Sequence, residues 1–123
     1  MFNFAPPVLR RNIAILGLIH KRVLKQCHPA FSELLPWYFD EDDELHGKHN
    51  KQLWEHENEV IFQRALFDRS IFGMIHVYNT LSQQIVDSSS VKVFQHRLTQ
   101  AAREQCTNGV RHWQYTFDRR QRR

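Results

Sequence analysis

Cysteine is scarce in this 123-residue chain, with only Cys27 and Cys106. Two thiols cannot build the disulfide framework of a small secreted domain, and their rarity suits a reducing compartment. Long apolar runs are missing as well. The longest, Ile13 to Ile19, contains Gly17 and falls far short of the ~20 residues a membrane span needs. The N-terminal MFNFAPPVLRR lacks the basic-then-apolar layout of a secretory leader. These absences predict a soluble, intracellular chain with no membrane role, nuclear or cytoplasmic. Catalytic signatures are absent too: there is no Gly-x-Ser-x-Gly elbow, and neither cysteine sits in a motif. The chain is therefore read as having no catalysis of its own and no cofactor.

What the chain does have is bulk. Nine Phe and three Trp can fill one modest core, and at this length residues 1–123 read as a single domain. The net charge of +4 is unevenly laid out. Residues 1–25 carry five basic and no acidic side chains, residues 26–60 two basic and nine acidic, and residues 61–123 ten basic and four acidic. Such segregation either ties the segments together or presents a basic surface to phosphate or to an acidic partner.

Periodicity predicts a mainly α fold, a small helical domain with a short extended C-terminal segment. From Val8 to about Lys25, behind Pro6-Pro7, apolar residues Leu9, Ile13, Leu16 and Ile19 keep helical spacing, with Lys21, Arg22 and Lys25 at the end that favours cations. Gly17 in its middle predicts close packing there, and His28-Pro29 is expected to end it. Residues 30–39 read as a short helix plugging the core. The segment 69–98 reads as helix, polar break at Asp87-Ser88-Ser89-Ser90, and helix, with Ile71, Ile75 and Tyr78 facing Phe94 and Leu98. This pair is expected to organise the fold. Residues 53–67 are ambiguous and lean helical. Asn108-Gly109 marks a stop, after which Trp113, Tyr115 and Phe117 alternate with polar residues as in a strand.

The acidic, His-rich stretch of about 40–52 has little to bury and is expected to be a solvated loop. Its contiguous carboxylates lack the alternate spacing of a calcium loop. His46 and His49, with His56, Cys27 and His28 elsewhere, lack the paired spacing of a zinc site, so no metal is assigned. His76 and His96 fall on or beside amphipathic helices and read as surface or boundary residues.

The functional pull lies at the C-terminus. Arg111, Trp113 and Tyr115, followed by Arg119, Arg120, Arg122 and Arg123 in the basic tail 118–123, combine stacking surface with phosphate-seeking charge. Those are the ingredients of sequence-tolerant nucleic-acid binding. The same aromatics could equally form a last strand on the core, beside an ordinary solubilising end.

Three stretches carry a family resemblance. Arg69-Ser70-Ile71-Phe72, then Val77-Tyr78-Asn79-Thr80-Leu81-Ser82-Gln83-Gln84-Ile85-Val86, then Ser89-Ser90-Val91-Lys92-Val93-Phe94-Gln95-His96-Arg97-Leu98 resemble the region that follows the reverse-transcriptase domain in non-LTR (LINE-type) retrotransposon polyproteins. Arg10 to Lys21 is similar to the Arg- and Leu-rich helix ahead of that region, and the likeness covers about residues 10–102. Tyr78 stands where the family has Trp, and Ser82 where it has Pro. Asp42-Asp43 follows Asp40 in sequence without the family's aromatic, and no two-metal polymerase site is implied. Cys106 and His112 alone do not make the zinc knuckle some relatives carry. The resemblance implies a detached, non-catalytic C-terminal segment whose partners are RNA or DNA, or a reverse transcriptase. The competing expectation is a helical protein–protein interaction module using the apolar faces around Phe72, Tyr78 and Phe94, with no nucleic-acid role.

Overall fold

The computed structural model describes residues 6–38, 49–56 and 64–118, with only the backbone described at 64–66. Pro6 and Pro7 open α1, Pro7–Val23, because a proline at the first helical position loses no hydrogen bond there. Its 3.6-residue stripe buries Leu9, Ile13, Leu16, Ile19 and Val23. The helix stops before His28-Pro29. Lys25 takes a left-handed φ of 62°, and the Gln26 amide reaches back to the Lys21 carbonyl at 3.0 Å. That closure satisfies the last carbonyls in a helix C-cap that usually employs glycine. His28-Pro29 instead starts the next helix. In α2, Pro29–Leu34, the His28 imidazole accepts from the Ala30 amide as N-cap.

The expected core plug at 30–39 is mostly on the surface. Leu35 is fully buried and Phe31 packs on the core, but Leu34 and Trp37 are 52% and 40% exposed. Pro36 shortens the helix, and the chain then pairs antiparallel with the stretch around Leu53 through a single Trp37–Leu53 bridge. The Tyr38 amide donates to the Gln52 carbonyl and the Trp54 amide to the Pro36 carbonyl. This bridge accounts for part of the 53–67 ambiguity. Residues 53–56 are extended, and α3, Arg64–Arg69, is helical.

After α3 come α4, Ile71–Asn79, α5, Gln83–Val86, and α6, Val91–Thr107. Serines start each of them: Ser70, Ser82 and Ser90 accept from the amides of Gly73, Ile85 and Val93. Gly109, with φ 73°, ends the α6 region, where the Val110 amide bonds back to the Gln105 carbonyl.

The expected pairing of α4 with α6 is realised through a third element. Arg11 reaches the Arg69 carbonyl and His20 reaches Tyr78, so α4 runs parallel to α1. His20 stacks on Phe94 and Gln95 bonds the Ile13 carbonyl, so α6 crosses α1 between Ile13 and His20. α1 is the hub, touching α4, α6 and the C-terminal turn, and α4 meets α6 at Tyr78 and Phe94. The stripe of α1 is long enough for α4 and α6 both to pack along it.

Two glycines permit the close approaches. At Gly17, as its sequence position implied, a Cβ would run into the Gln95 side chain that lies across α1. At Gly73 it would strike the Phe67 carbonyl and the Asp68 backbone, which fold tightly over the start of α4.

The strand expected at Trp113, Tyr115 and Phe117 is a 3-10 turn, Trp113–Tyr115, entered through His112 in the left-handed region. Its alternation arises because the turn lies obliquely on α1 and α6, burying Phe117 and leaving Trp113 and Tyr115 half-buried. Among the described residues there is no helix long and apolar enough to cross a membrane.

Candidate functional site

Arg10 and Arg11 stand at the first turn of α1 and Arg103 in the last turns of α6. The C-terminal turn then touches both helices. Arg11 binds the Arg69 carbonyl at 3.1 Å, holding the head of α4 at the same end. Arg10, Arg69, Arg103 and Arg111 are all exposed.

Of the residues singled out in sequence, Arg111 is exposed and Trp113 packs against the core. Tyr115 is half-buried beside His112, with ring centroids 6.4 Å apart. Arg119, Arg120, Arg122 and Arg123 lie outside the described residues, as does the acidic run 40–44. Position in sequence did not identify Arg10, Arg69 or Arg103 as companions of Arg111.

A second polar cluster was not foreseen at all. His20 is fully buried in α1. Its Nε2 donates to the Ser88 carbonyl at 2.8 Å, which leaves Nδ1 to accept from the Tyr78 hydroxyl at 3.0 Å. Burial pushes the His20 pKa below its ordinary value, ahead of the opposing Ser88 bond. The Tyr78 phenol is pushed up by the same loss of water. Helical spacing allows Ile19 or His20 on the stripe of α1, and both are buried there; the partners of His20 leave no local signal.

His49 completes the cluster. Its Nε2 donates to the Tyr78 carbonyl and its Nδ1 accepts from the Lys51 amide, both at 2.9 Å. The solvated-loop reading of 40–52 therefore fails at its end: His49 is 4% exposed. Of the histidines considered as zinc ligands, His46 lies outside the described residues and the others are used otherwise. His28 caps α2, and His56 bonds the Leu34 carbonyl. Among the described residues no group of three or more His, Cys, Asp or Glu is placed to hold a metal ion. His76 sits at the surface, 3.0 Å from Glu55.

The interaction face around Phe72, Tyr78 and Phe94 does not exist as a surface. Tyr78 and Phe94 are fully buried and Phe72 is packed on the core. The exposed large apolar side chains are elsewhere, among them Leu34, Trp37 and Trp54 near the Trp37–Leu53 bridge. Trp37 carries the Arg22 guanidinium 4.7 Å above its ring, and Arg22 Nε donates to the Leu35 carbonyl at 2.6 Å.

No protein-family model matches the chain, and neither a curated protein nor a solved structure matches it.

Proposed function

We propose that this chain is a non-catalytic accessory domain that contacts RNA or DNA through its basic end, in the manner of a segment from a non-LTR retroelement polyprotein. The observation that supports the reading is the contact of the C-terminal turn, with exposed Arg111 just before it, with both α1 and α6, helices that carry exposed Arg10 and Arg103. Positive charge gathered on one side draws a polyanion and releases its counterions. The sequence continues into four further arginines. The family resemblance of residues 10–102 supports the retroelement context, and a reverse transcriptase of the same element is the natural protein neighbour.

The test compares charge removal at the two ends. Arg103→Gln with Arg111→Gln is expected to weaken binding to mixed single-stranded RNA and DNA. Arg97→Gln, in the second turn of α6 where Arg97 bonds the Gln84 carbonyl, is expected to leave binding nearly unchanged. Equal losses from both ends would contradict the reading.

A protein-interaction module is the second reading, favoured by Leu34, Trp37 and Trp54 being exposed. Apolar contact of that kind is held with little dependence on salt, which separates it from phosphate binding.

A further inference from the structure

We propose that residues 49–56 form a strap across the C-terminal end of α4, released by a proton on His49 while α1, α4 and α6 stay packed. The strap is paired with residues 36–38 through two backbone bonds and touches Tyr38 and Phe72 through Trp54 and His56, while its hold on the end of α4 is made by polar side chains. Gln52 Nε2 donates to the Asn79 carbonyl at 3.0 Å. The Asn79 amide takes both backbone groups of Leu53, accepting from its N–H at 2.9 Å and donating to its carbonyl at 2.8 Å. Asn50 and Gln83 exchange two bonds at 2.8 Å. Glu55 receives His76 and Asn79. Leu53 is the strap's one core side chain, whereas the helices share an apolar cluster running from Leu9 to Ala102. A segment with so little buried apolar area opens at lower free energy than the helices it covers.

His49 is the strap's acid-sensitive fastening. Its two ring nitrogens are committed, one to a carbonyl and one to an N–H, and only the neutral Nε2–H form satisfies both. A second proton on Nδ1 would face the Lys51 N–H, donor against donor. The groups around it come from every neighbouring element. The Lys51 ammonium and His20 of α1 oppose a positive charge; the Asp87 carboxylate and the Tyr78 carbonyl at the end of α4 favour one. Burial outweighs these and holds the His49 pKa below its ordinary value. The proton therefore enters most readily when the strap lifts into water, and the two events are linked. Release uncovers the carbonyls of Tyr78 and Asn79, the Asn79 amide and the seat of Leu53.

The experiment is an acid titration of the full isotope-labelled chain by NMR. It follows the His49 ring, the strap amides of Lys51, Leu53 and Trp54 with that of Tyr38, and amides of α1 and α6. The expected result is a shared midpoint for His49 protonation and loss of strap-amide protection, at a pH where α1 and α6 amides remain protected. Protonation of His49 with the strap amides unchanged would overturn the proposal. So would strap amides lost only together with those of α1 and α6. In His49→Gln, whose amide can donate to the Tyr78 carbonyl but does not titrate, the acid step is expected to vanish. A step at the wild-type pH in that variant would assign release to another group and overturn the proposal.

Discussion

The imidazole of His20 lies on the ring of Phe94, centroids 4.2 Å apart and planes 6° from parallel, while its Nδ1 accepts the Tyr78 hydroxyl. One residue of α1 thus touches α4 through a hydrogen bond, α6 through a ring face, and the α5–α6 link through the Ser88 carbonyl. Buried polar groups that are fully bonded fix a single packing arrangement, and the same groups half-bonded are expensive.

Tyr78→Phe keeps the ring and removes the hydroxyl, leaving His20 Nδ1 buried without a donor. The domain should lose ~1 to 3 kcal/mol, the penalty for a stranded buried polar group. Chemical denaturation measures it.

Phe94→Ala should cost more, ~3 to 5 kcal/mol, because it removes a fully buried aromatic and the face on which His20 rests. An unchanged melting transition would mean that α6 does not pack on α1 as described.

The two helical glycines should behave differently. Gly73→Ala drives a methyl group into the Phe67 carbonyl and Asp68 backbone, which cannot yield cheaply, and should destabilise by ~1 to 3 kcal/mol. Gly17→Ala meets only the movable end of Gln95, and the ~1 kcal/mol helix preference for Ala offsets part of that contact. Thermal melts of the two variants should rank Gly17→Ala as the more stable.

Lys25 holds a left-handed φ of 62° at the close of α1. Glycine reaches that conformation without strain. Lys25→Gly should raise stability by up to ~1 kcal/mol, read as a higher denaturation midpoint.

Acid should weaken the fold earlier than its carboxylates alone would. The pKa values of His20 and His49 are lowered in the fold, chiefly by burial, from an ordinary 6.5. An unfolded chain binds protons at these sites first as pH falls, so their contribution is complete above about 6.5 and declines below it. Each histidine gives a slope of up to about 1.4 kcal/mol per pH unit until its folded-state pKa is reached. Denaturation midpoints measured across this range, with His20→Gln and His49→Gln as references, should show the slope and its loss.

Much of the fold was legible in the sequence because helical stripes are local. Leu9, Ile13, Leu16 and Ile19, and equally Phe94 and Leu98, face the core where their spacing placed them. The break at Asp87 to Ser90 and the stop at Asn108-Gly109 were read from turn chemistry that needs no distant partner. What could not be read depends on contacts between residues far apart. Spacing allows His20 on the stripe of α1, but its polar partners Tyr78 and Ser88 and the ring of Phe94 are distant in sequence. His49 is lifted out of an acidic, polar stretch by the carbonyl of Tyr78, twenty-nine positions away. The alternation at Trp113, Tyr115 and Phe117 mimicked a strand because a tight turn pressed on two helices also sends neighbouring residues to different sides. Arg111 was singled out in sequence, while Arg10 and Arg103 are seen as exposed only in the structure.

Binding of the full chain to mixed single-stranded RNA and DNA across a salt series, beside a version ending at Asp118, tests the functional account most directly. The account predicts an affinity that falls linearly in log salt, and a slope shallower by up to about 3 when the four tail arginines are removed, at ~0.7 for each phosphate neutralised on a single strand. No binding at low salt, or binding indifferent to salt and to the tail, would contradict it.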